Sequence, residues 1–143
     1  SLALAQAAEE SGWGTSRFAL EGNAIFGQWT FSNKRSLKPQ KRDEDKEHRV
    51  RTFTSLMDAV EAYILNLNTH RAYRKFRQER LALRTRGQRL PGTGLAGTLT
   101  SYSERGSKYV RTIQSIITGN QLQSLDKARL GGKSVSLDNK PVI

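Results

Sequence analysis

Apolar residues recur every three or four positions in three separate stretches, and this periodicity restricts the chain to a fold built mainly from short helices. The stretches are residues 55–68, 70–83 and 105–118. Their apolar positions are Met57, Val60, Ile64, Leu67, Tyr73, Phe76, Leu83, Tyr109, Ile113, Ile116 and Ile117. Ser55 followed by Asp58 matches a capping box, so the first of these helices is expected to begin there.

An alanine-rich stretch stands at the start of the chain. Residues 2–10 contain four alanines and no helix breaker, so we expect a helix whose small side chains allow close packing inside the domain. Gly12 and Gly14 are expected to end it. Two shorter helical segments are expected at residues 95–99 and 122–130.

Residues with a preference for strands are confined to two stretches, residues 24–31 and 50–54. The polar segment between them predicts a long-looped hairpin. The fold class that we predict is therefore mainly α (α+β), a helical domain with a small β-hairpin lobe. A length of 143 residues suits one domain. That domain is expected to span residues 1–130, with a flexible tail at residues 131–143.

Residue types that the chain lacks exclude several kinds of chemistry. It has no Cys, which excludes disulfides, thiolate nucleophiles and zinc–thiolate sites, and only His48 and His70, which excludes a His-rich metal centre. No metal or cofactor is expected. No apolar run reaches the roughly 20 residues of a membrane span. Because a helical pattern follows Ser1 at once, we expect an N-terminally truncated fragment whose targeting segment lies upstream.

Positive charge is the strongest compositional feature. There are 24 Lys and Arg against 13 Asp and Glu, a formal net charge of +11. This charge indicates a polyanionic partner, and nucleic acid, an acidic membrane surface and an anionic cell-wall polymer all fit it. Residues 71–89 hold eight basic residues and one acid, Glu79. Such a run is usually a solvated helix face, but its density also favours contact with an anionic polymer.

Two adjacent carboxylates, Glu9 and Glu10, stand in the last turn of the first predicted helix. The negative end of the helix dipole and burial would both raise a carboxyl pKa there. A carboxylic acid that stays protonated near neutrality can protonate the leaving-group oxygen of a glycoside. Adjacent helical residues point about 100° apart, so we expect one Glu to be catalytic and the other solvated or paired. A surface Glu pair without function is the alternative.

Three short motifs resemble the glucosaminidase family that includes bacterial autolysins and flagellar wall hydrolases. The first is A-Q-A-A-E-E-S-G-W-G-T-S at residues 5–16, similar to the family's A-Q-A-x-x-E-S-G-W-G, with Glu10 on its glutamate. The second is N-A-I-F-G at residues 23–27, close to N-x-F-G. The third is Y-S-E at residues 102–104 with Lys108 and Tyr109, which resembles a late Y-x-x-D-x-x-Y stretch with a different acidic spacing.

The resemblance implies a lysozyme-like α-domain with a β-lobe, in which Glu10 is the general acid. It also implies a second acidic residue from the β-lobe, for which Glu47 or Glu44 is favoured over Asp43 and Asp45. Solvated ion pairs are the alternative explanation of these four acids, since eight Lys and Arg surround them between residues 34 and 51. The second acid would activate a water in an inverting reaction, or the substrate's own 2-acetamido group would attack.

Aromatic residues cluster around the same motifs. Sugar rings present apolar C–H faces that stack on aromatic rings, so Trp29 or Tyr102 is expected to form a glycan platform. Phe26 and Tyr109 are further candidates for substrate contact, and the resemblance implies that the Tyr109 hydroxyl faces the cleft. Trp13 directly follows Gly12 and is expected in the core.

The function implied by the resemblance is that of a peptidoglycan hydrolase, an endo-β-N-acetylglucosaminidase acting on glycan strands in the periplasm or cell envelope. A lytic transglycosylase shares the Glu-Ser pair at a helix end, but the Gly-Leu-Met-Gln stretch usual in those enzymes is absent here. A non-catalytic module that binds cell-wall glycan or another polyanion through residues 71–89 is the alternative from a different class. No nucleic-acid-binding motif is present, so specific nucleic-acid binding is not expected.

Overall fold

The computed structural model describes residues 1–38 and 49–128. Its α-helices are α1 (Leu2–Ser11), α2 (Arg17–Gly22), α3 (Leu56–Thr69), α4 (Arg74–Thr85), α5 (Gly92–Ala96) and α6 (Ser107–Gly119). Two 3₁₀ helices span Arg71–Tyr73 and Leu122–Lys127. The strands are β1 (Trp29–Thr30), β2 (Ser36–Leu37) and β3 (Arg49–Arg51). This architecture confirms the prediction of a mainly α fold with a small β-lobe.

The core forms where α1 packs against α5 and α6. Ala5 on α1 and Ile117 on α6 are completely buried, and Ile113 is nearly so. Burying an isoleucine side chain contributes about 1.5–3 kcal/mol, so the contact between α1 and α6 stabilises the α-domain. Only one face of α1 takes part, because Leu4 on its other face is half exposed.

Local signals set the ends of the helices that carry the site. Ser55 and Asp58 form the predicted capping box, with N–H···O distances of 3.1 Å in both directions, so α3 begins at Leu56. At the end of α1, Gly12 adopts the left-handed conformation with φ of 57°. Glycine takes this conformation without steric cost, which explains why α1 stops there.

The β-lobe is a three-stranded antiparallel sheet in the order β1-β3-β2. Val50 of β3 lies opposite Trp29 on one side and Leu37 on the other. The predicted hairpin pairing of the two β-prone stretches is confirmed, whereas β2 was not expected inside the polar segment. Strand β1 does not extend back to Ile25 and Phe26, because these side chains pack in the helical core.

The division into a domain at residues 1–130 and a tail at residues 131–143 remains a prediction, because the structure describes nothing beyond residue 128. No helix in the described ranges has both the length and the apolar character needed to cross a bilayer.

Candidate active site

The motif at the end of α1 folds into a tight turn that presents Glu10. The Ser11 hydroxyl donates to the Ala7 carbonyl at 2.5 Å and accepts from the Gly14 N–H at 2.8 Å. Gly12, Trp13 and Gly14 all have positive φ, so the chain reverses within three residues. Trp13 is 63% exposed on the outside of this turn, and the prediction that it lies in the core is therefore wrong.

The two carboxylates before this turn have different surroundings, as expected from their helical spacing. Glu9 accepts a hydrogen bond from the Arg105 guanidinium at 2.6 Å, which forms an ion pair. Glu10 instead lies on the wall of a large cleft. The helix therefore separates a paired carboxylate from one that is open to a ligand.

The cleft has a volume of about 1700 Å³ and is lined by the β-lobe, α3 and the loop before α6. The β-lobe side includes Trp29, Phe31, Arg35, Arg51 and Phe53. The opposite side includes Glu61, Leu65, Asn66, Tyr73, Tyr102 and Arg105. Its size fits several sugar rings rather than one, because pockets that enclose a single drug-sized ligand measure about 300–1,000 Å³.

The pKa of Glu10 is raised, and burial is the main cause because it removes water from the charged carboxylate. A hydrogen bond from the Tyr109 hydroxyl works in the opposite direction, since it stabilises the ionised form. The charge of Glu9 raises the pKa further, and that of Arg105 lowers it. The net direction agrees with the expectation for a carboxyl group that holds its proton.

Gly27 packs directly against Glu10. A Cβ atom at this position would stand 2.9 Å from Glu10 Oε2, and the φ of Gly27 is 58°. The same motif is held at its start by Asn23, which caps α2 in the left-handed conformation and donates from Nδ2 to the Phe53 carbonyl at 3.1 Å. The motif at residues 23–27 thus joins the β-lobe to the helix that carries Glu10.

The predicted aromatic residues occupy different depths. Trp29 is 60% exposed on the cleft wall. Tyr102 also lines the cleft, half-buried, and its hydroxyl donates to the Phe26 carbonyl at 3.2 Å. Phe26 touches the cleft but is 4% exposed, because its ring stacks on Tyr63 with centroids 4.0 Å apart. Of these three aromatic residues, Trp29 and Tyr102 therefore have ring surface accessible to a sugar ring.

Tyr109 lies behind Glu10 and does not line the cleft. It is 1% exposed and its ring stacks on that of Tyr102, with centroids 5.5 Å apart. Its hydroxyl accepts a hydrogen bond from Gln6 Nε2 at 2.8 Å. Burial holds the pKa of the Tyr109 hydroxyl well above its usual range, so this group is a neutral donor.

The favoured second acids, Glu47 and Glu44, and the other candidates, Asp43 and Asp45, lie outside the described residues. Among the residues described, the further carboxylates on the cleft wall belong to Asp58, Glu61 and Glu104. Asp58 is engaged in the capping box of α3, whereas Glu61 is exposed in the second turn of that helix.

The basic run lies mainly on α4 and its ends. Most of its side chains are exposed, and Arg77 donates to the carbonyls of Leu67 and His70 while Arg80 donates to Asn68. Burial, together with repulsion from Arg84 and Arg77, lowers the pKa of Arg80. Within residues 1–38 and 49–128 no carboxylate forms an ion pair with this run, so its charge is not neutralised by that part of the fold.

Several residues of the site carry no signal that a single sequence reveals. Arg105, Tyr73 and Asn66 reach the cleft from separate elements, and only the tertiary structure brings them together. Gln6 and Gly27 do stand inside the recognised motifs, but their contacts with Tyr109 and Glu10 depend on long-range packing. In the part of the chain described, no three His, Asp or Glu side chains are grouped so as to hold a metal ion.

Comparisons with known proteins identify the family of the chain. The family model described as Mannosyl-glycoprotein endo-beta-N-acetylglucosaminidase matches residues 1–122. Protein bax of Escherichia coli (strain K12) is 35% identical over 121 residues, which is 85% of this chain and 42% of that protein, so the chain spans about two-fifths of its curated relative. No solved structure gives a significant match. The chain belongs to the mannosyl-glycoprotein endo-beta-N-acetylglucosaminidase family.

Proposed function

We propose that this chain is a peptidoglycan hydrolase, an endo-β-N-acetylglucosaminidase that cleaves glycan strands with Glu10 as its general acid. The observation that carries the proposal is the position of Glu10, a carboxyl group with a raised pKa on the wall of an open cleft of about 1700 Å³. Membership of the family supports glycoside cleavage as the reaction class.

The chemistry of Glu10 follows from its surroundings. Partial burial raises the pKa of the Glu10 carboxyl group and so favours its protonated form, which can donate a proton to the glycosidic oxygen while the bond from that oxygen to the anomeric carbon breaks. The Glu10 carboxylate left behind is stabilised by the Tyr109 hydroxyl and by the charge of Arg105. A water molecule then supplies the new hydroxyl at the anomeric carbon and loses a proton to a base.

Glu47 or Glu44 is proposed as that base. Both precede β3 in the sequence, and Val50 and Arg51 of β3 line the cleft, so Glu47 is three residues before a residue of the cleft wall. An inverting reaction needs about 6.5–9.5 Å between the two carboxyl groups. If neither residue is required, the 2-acetamido group of the substrate is the nucleophile and the reaction retains configuration.

The remaining cleft residues are suited to a charged glycan. Trp29 offers an exposed ring for a sugar face, and Arg35 and Arg51 line the same wall. Peptidoglycan strands carry carboxylates on their stem peptides, or on the lactyl groups of units that lack a peptide, and guanidinium groups bind carboxylates well. These features support glycan strands as the substrate.

The basic surface of α4 and the net charge of +11 support a location in the periplasm or on the cell envelope. Attraction between these charges and an anionic wall raises the local concentration of enzyme at its substrate. In this proposal the positive charge brings the enzyme to the cell wall, and Glu10 catalyses the cleavage.

Product analysis tests the proposal against the nearest alternative. Purified sacculi are digested with the protein, and the soluble fragments are examined by mass spectrometry before and after borohydride reduction. We expect fragments that end in reducing N-acetylglucosamine. Fragments that end in 1,6-anhydro-muramyl residues would instead identify a lytic transglycosylase, and the absence of any cleavage would support a binding module.

A further inference from the structure

A buried glutamine connects the hydroxyl groups behind Glu10. Gln6 is completely buried, and it precedes Glu10 by four residues, so both side chains lie on one face of α1. The Tyr63 hydroxyl donates to Gln6 Oε1 at 2.7 Å, and Gln6 Nε2 donates to the Tyr109 hydroxyl at 2.8 Å. A buried amide with both ends engaged has one stable orientation.

The direction of each hydrogen bond follows from the groups involved. An amide oxygen only accepts and an amide nitrogen only donates, whereas a phenol has a single hydrogen to give. Because burial holds the pKa of Tyr63 well above its usual range, its hydroxyl keeps that hydrogen and gives it to Gln6 Oε1. The oxygen of Tyr109 is then occupied by the Gln6 N–H, which leaves its own hydrogen for the Glu10 carboxyl.

We propose that Gln6 is a positioning residue that, held by Tyr63, directs the hydroxyl hydrogen of Tyr109 at the carboxyl group of Glu10. The inference rests on the proposed role of Glu10 as the acid. If the amide were reversed, its oxygen would face Tyr109 and draw that hydrogen away from Glu10. Tyr63 prevents this reversal, and the N–H donated by Gln6 also makes Tyr109 a stronger donor, since hydrogen bonds in a chain polarise one another.

Other charged or titratable groups also act on Glu10 and stay unchanged in the test. Glu9 precedes it on α1, Arg105 lies in the loop before α6, and Tyr73 and Tyr102 line the same cleft and interact electrostatically with it. Gln6 acts on Glu10 only through Tyr109. Its effect is therefore expected to disappear when the Tyr109 hydroxyl is absent.

The experiment measures the pKa of Glu10 directly, from the carboxyl carbon resonance in ¹³C-labelled protein across a pH titration. Gln6→Met keeps the length of the side chain and removes its polar atoms, and Tyr109→Phe removes the hydroxyl. We expect each variant to raise the Glu10 pKa, because each weakens a hydrogen bond to the ionised form. In the double variant we expect the same pKa as in Tyr109→Phe alone, since one interaction cannot be lost twice.

Tyr63→Phe is the second variant, for the case that Gln6→Met does not fold, and it keeps the ring that stacks on Phe26. It frees the amide to reverse, so it is also expected to raise the Glu10 pKa, and again only while Tyr109 is present. Ile113→Val, in the same core, is the control that lowers stability without moving this pKa.

Two outcomes would overturn the inference. Either the Glu10 pKa stays at its wild-type value in both Gln6→Met and Tyr63→Phe, or their shifts persist in the Tyr109→Phe background. The titration needs no turnover, so it tests the role of Gln6 separately from the proposed function. The role of Gln6 can be refuted while Glu10 remains essential for cleavage, and it can be supported in a protein that cleaves nothing. For an active enzyme we also expect kcat of Gln6→Met to fall about 10- to 100-fold with KM unchanged.

Discussion

Replacing Gly27 by alanine would place a methyl group against the carboxyl on which the proposed reaction depends. The new Cβ would lie 2.9 Å from Glu10 Oε2, closer than such atoms approach in real structures, so the carboxyl has to move. Gly87 offers a matched control. It has a similar φ of 64° against 58° for Gly27, and a Cβ there would meet nothing within 4 Å.

The structure gives the expected magnitudes. A left-handed conformation costs an alanine roughly 1–2 kcal/mol, and both variants bear this cost. For a chain of this size, a loss of about 1 kcal/mol lowers the Tm by roughly 3–5 °C. Ordinary van der Waals contact begins at 3.4 Å, so in Gly27→Ala the Glu10 carboxyl has to move by about 0.5 Å. Because a displacement of about 1 Å can reduce the rate about 100-fold, we expect a loss of about tenfold from this smaller shift, and only Gly27→Ala displaces Glu10.

The assay compares thermal unfolding with the release of reducing ends from sacculi for the wild type, Gly27→Ala and Gly87→Ala. We expect similar losses of Tm in the two variants, unchanged activity in Gly87→Ala and a fall in kcat of about tenfold in Gly27→Ala. Full activity in Gly27→Ala at a temperature where it is folded would refute the claim that the position of the Glu10 carboxyl controls the reaction.

Four further predictions follow from the same structure. Burial raises the folded-state pKa of Glu10 above its unfolded value, so the wild type loses stability as the pH rises through the folded pKa. Glu10→Gln is therefore expected to match the wild type in acid and to unfold at higher temperature in neutral buffer, and a pH-independent difference would contradict this. Trp29→Ala, which removes an exposed ring from the cleft, is expected to raise KM roughly tenfold, a loss of about 1.4 kcal/mol, with kcat unchanged; an unchanged KM would exclude stacking on this residue. Replacing Arg84 and Arg86, exposed and away from the cleft lining, by alanine is expected to weaken sedimentation with sacculi at low salt and to have no effect at high salt. Of Glu47→Gln and Glu44→Gln, one is expected to lower kcat about 100-fold, and full activity in both would indicate attack by the substrate's acetamido group.

The helical part of the fold could be predicted because its signals are local. The capping box at Ser55 and Asp58 and the spacing of apolar residues in α3 act within a few turns of chain, and the observed helix differs from the prediction by one residue at each end. The different surroundings of Glu9 and Glu10 followed from helical geometry in the same way. Each of these features needs no information about distant residues.

The features that the sequence did not predict depend on packing between residues that are distant in the chain. Strand β2 is defined by the pairing of Ser36 and Leu37 with β3, and a strand of two residues is too short to show an alternating pattern of its own. Trp13 was expected in the core because it directly follows Gly12, but three consecutive residues with positive φ turn it towards solvent. Tyr109 was expected to face the cleft, whereas its hydroxyl is buried between Gln6 and Glu10.

The most direct test of the account compares Glu10→Gln with Glu9→Gln in the release of reducing ends from purified sacculi. The two substitutions are adjacent and chemically identical, but Glu10 lines the cleft while Glu9 pairs with Arg105. Circular dichroism and sedimentation with sacculi establish that each variant is folded and still binds. We expect Glu10→Gln to lose activity by a factor of about 100 to 10,000 and Glu9→Gln to stay within a few-fold of the wild type. Retained activity in folded Glu10→Gln would contradict its role as the general acid.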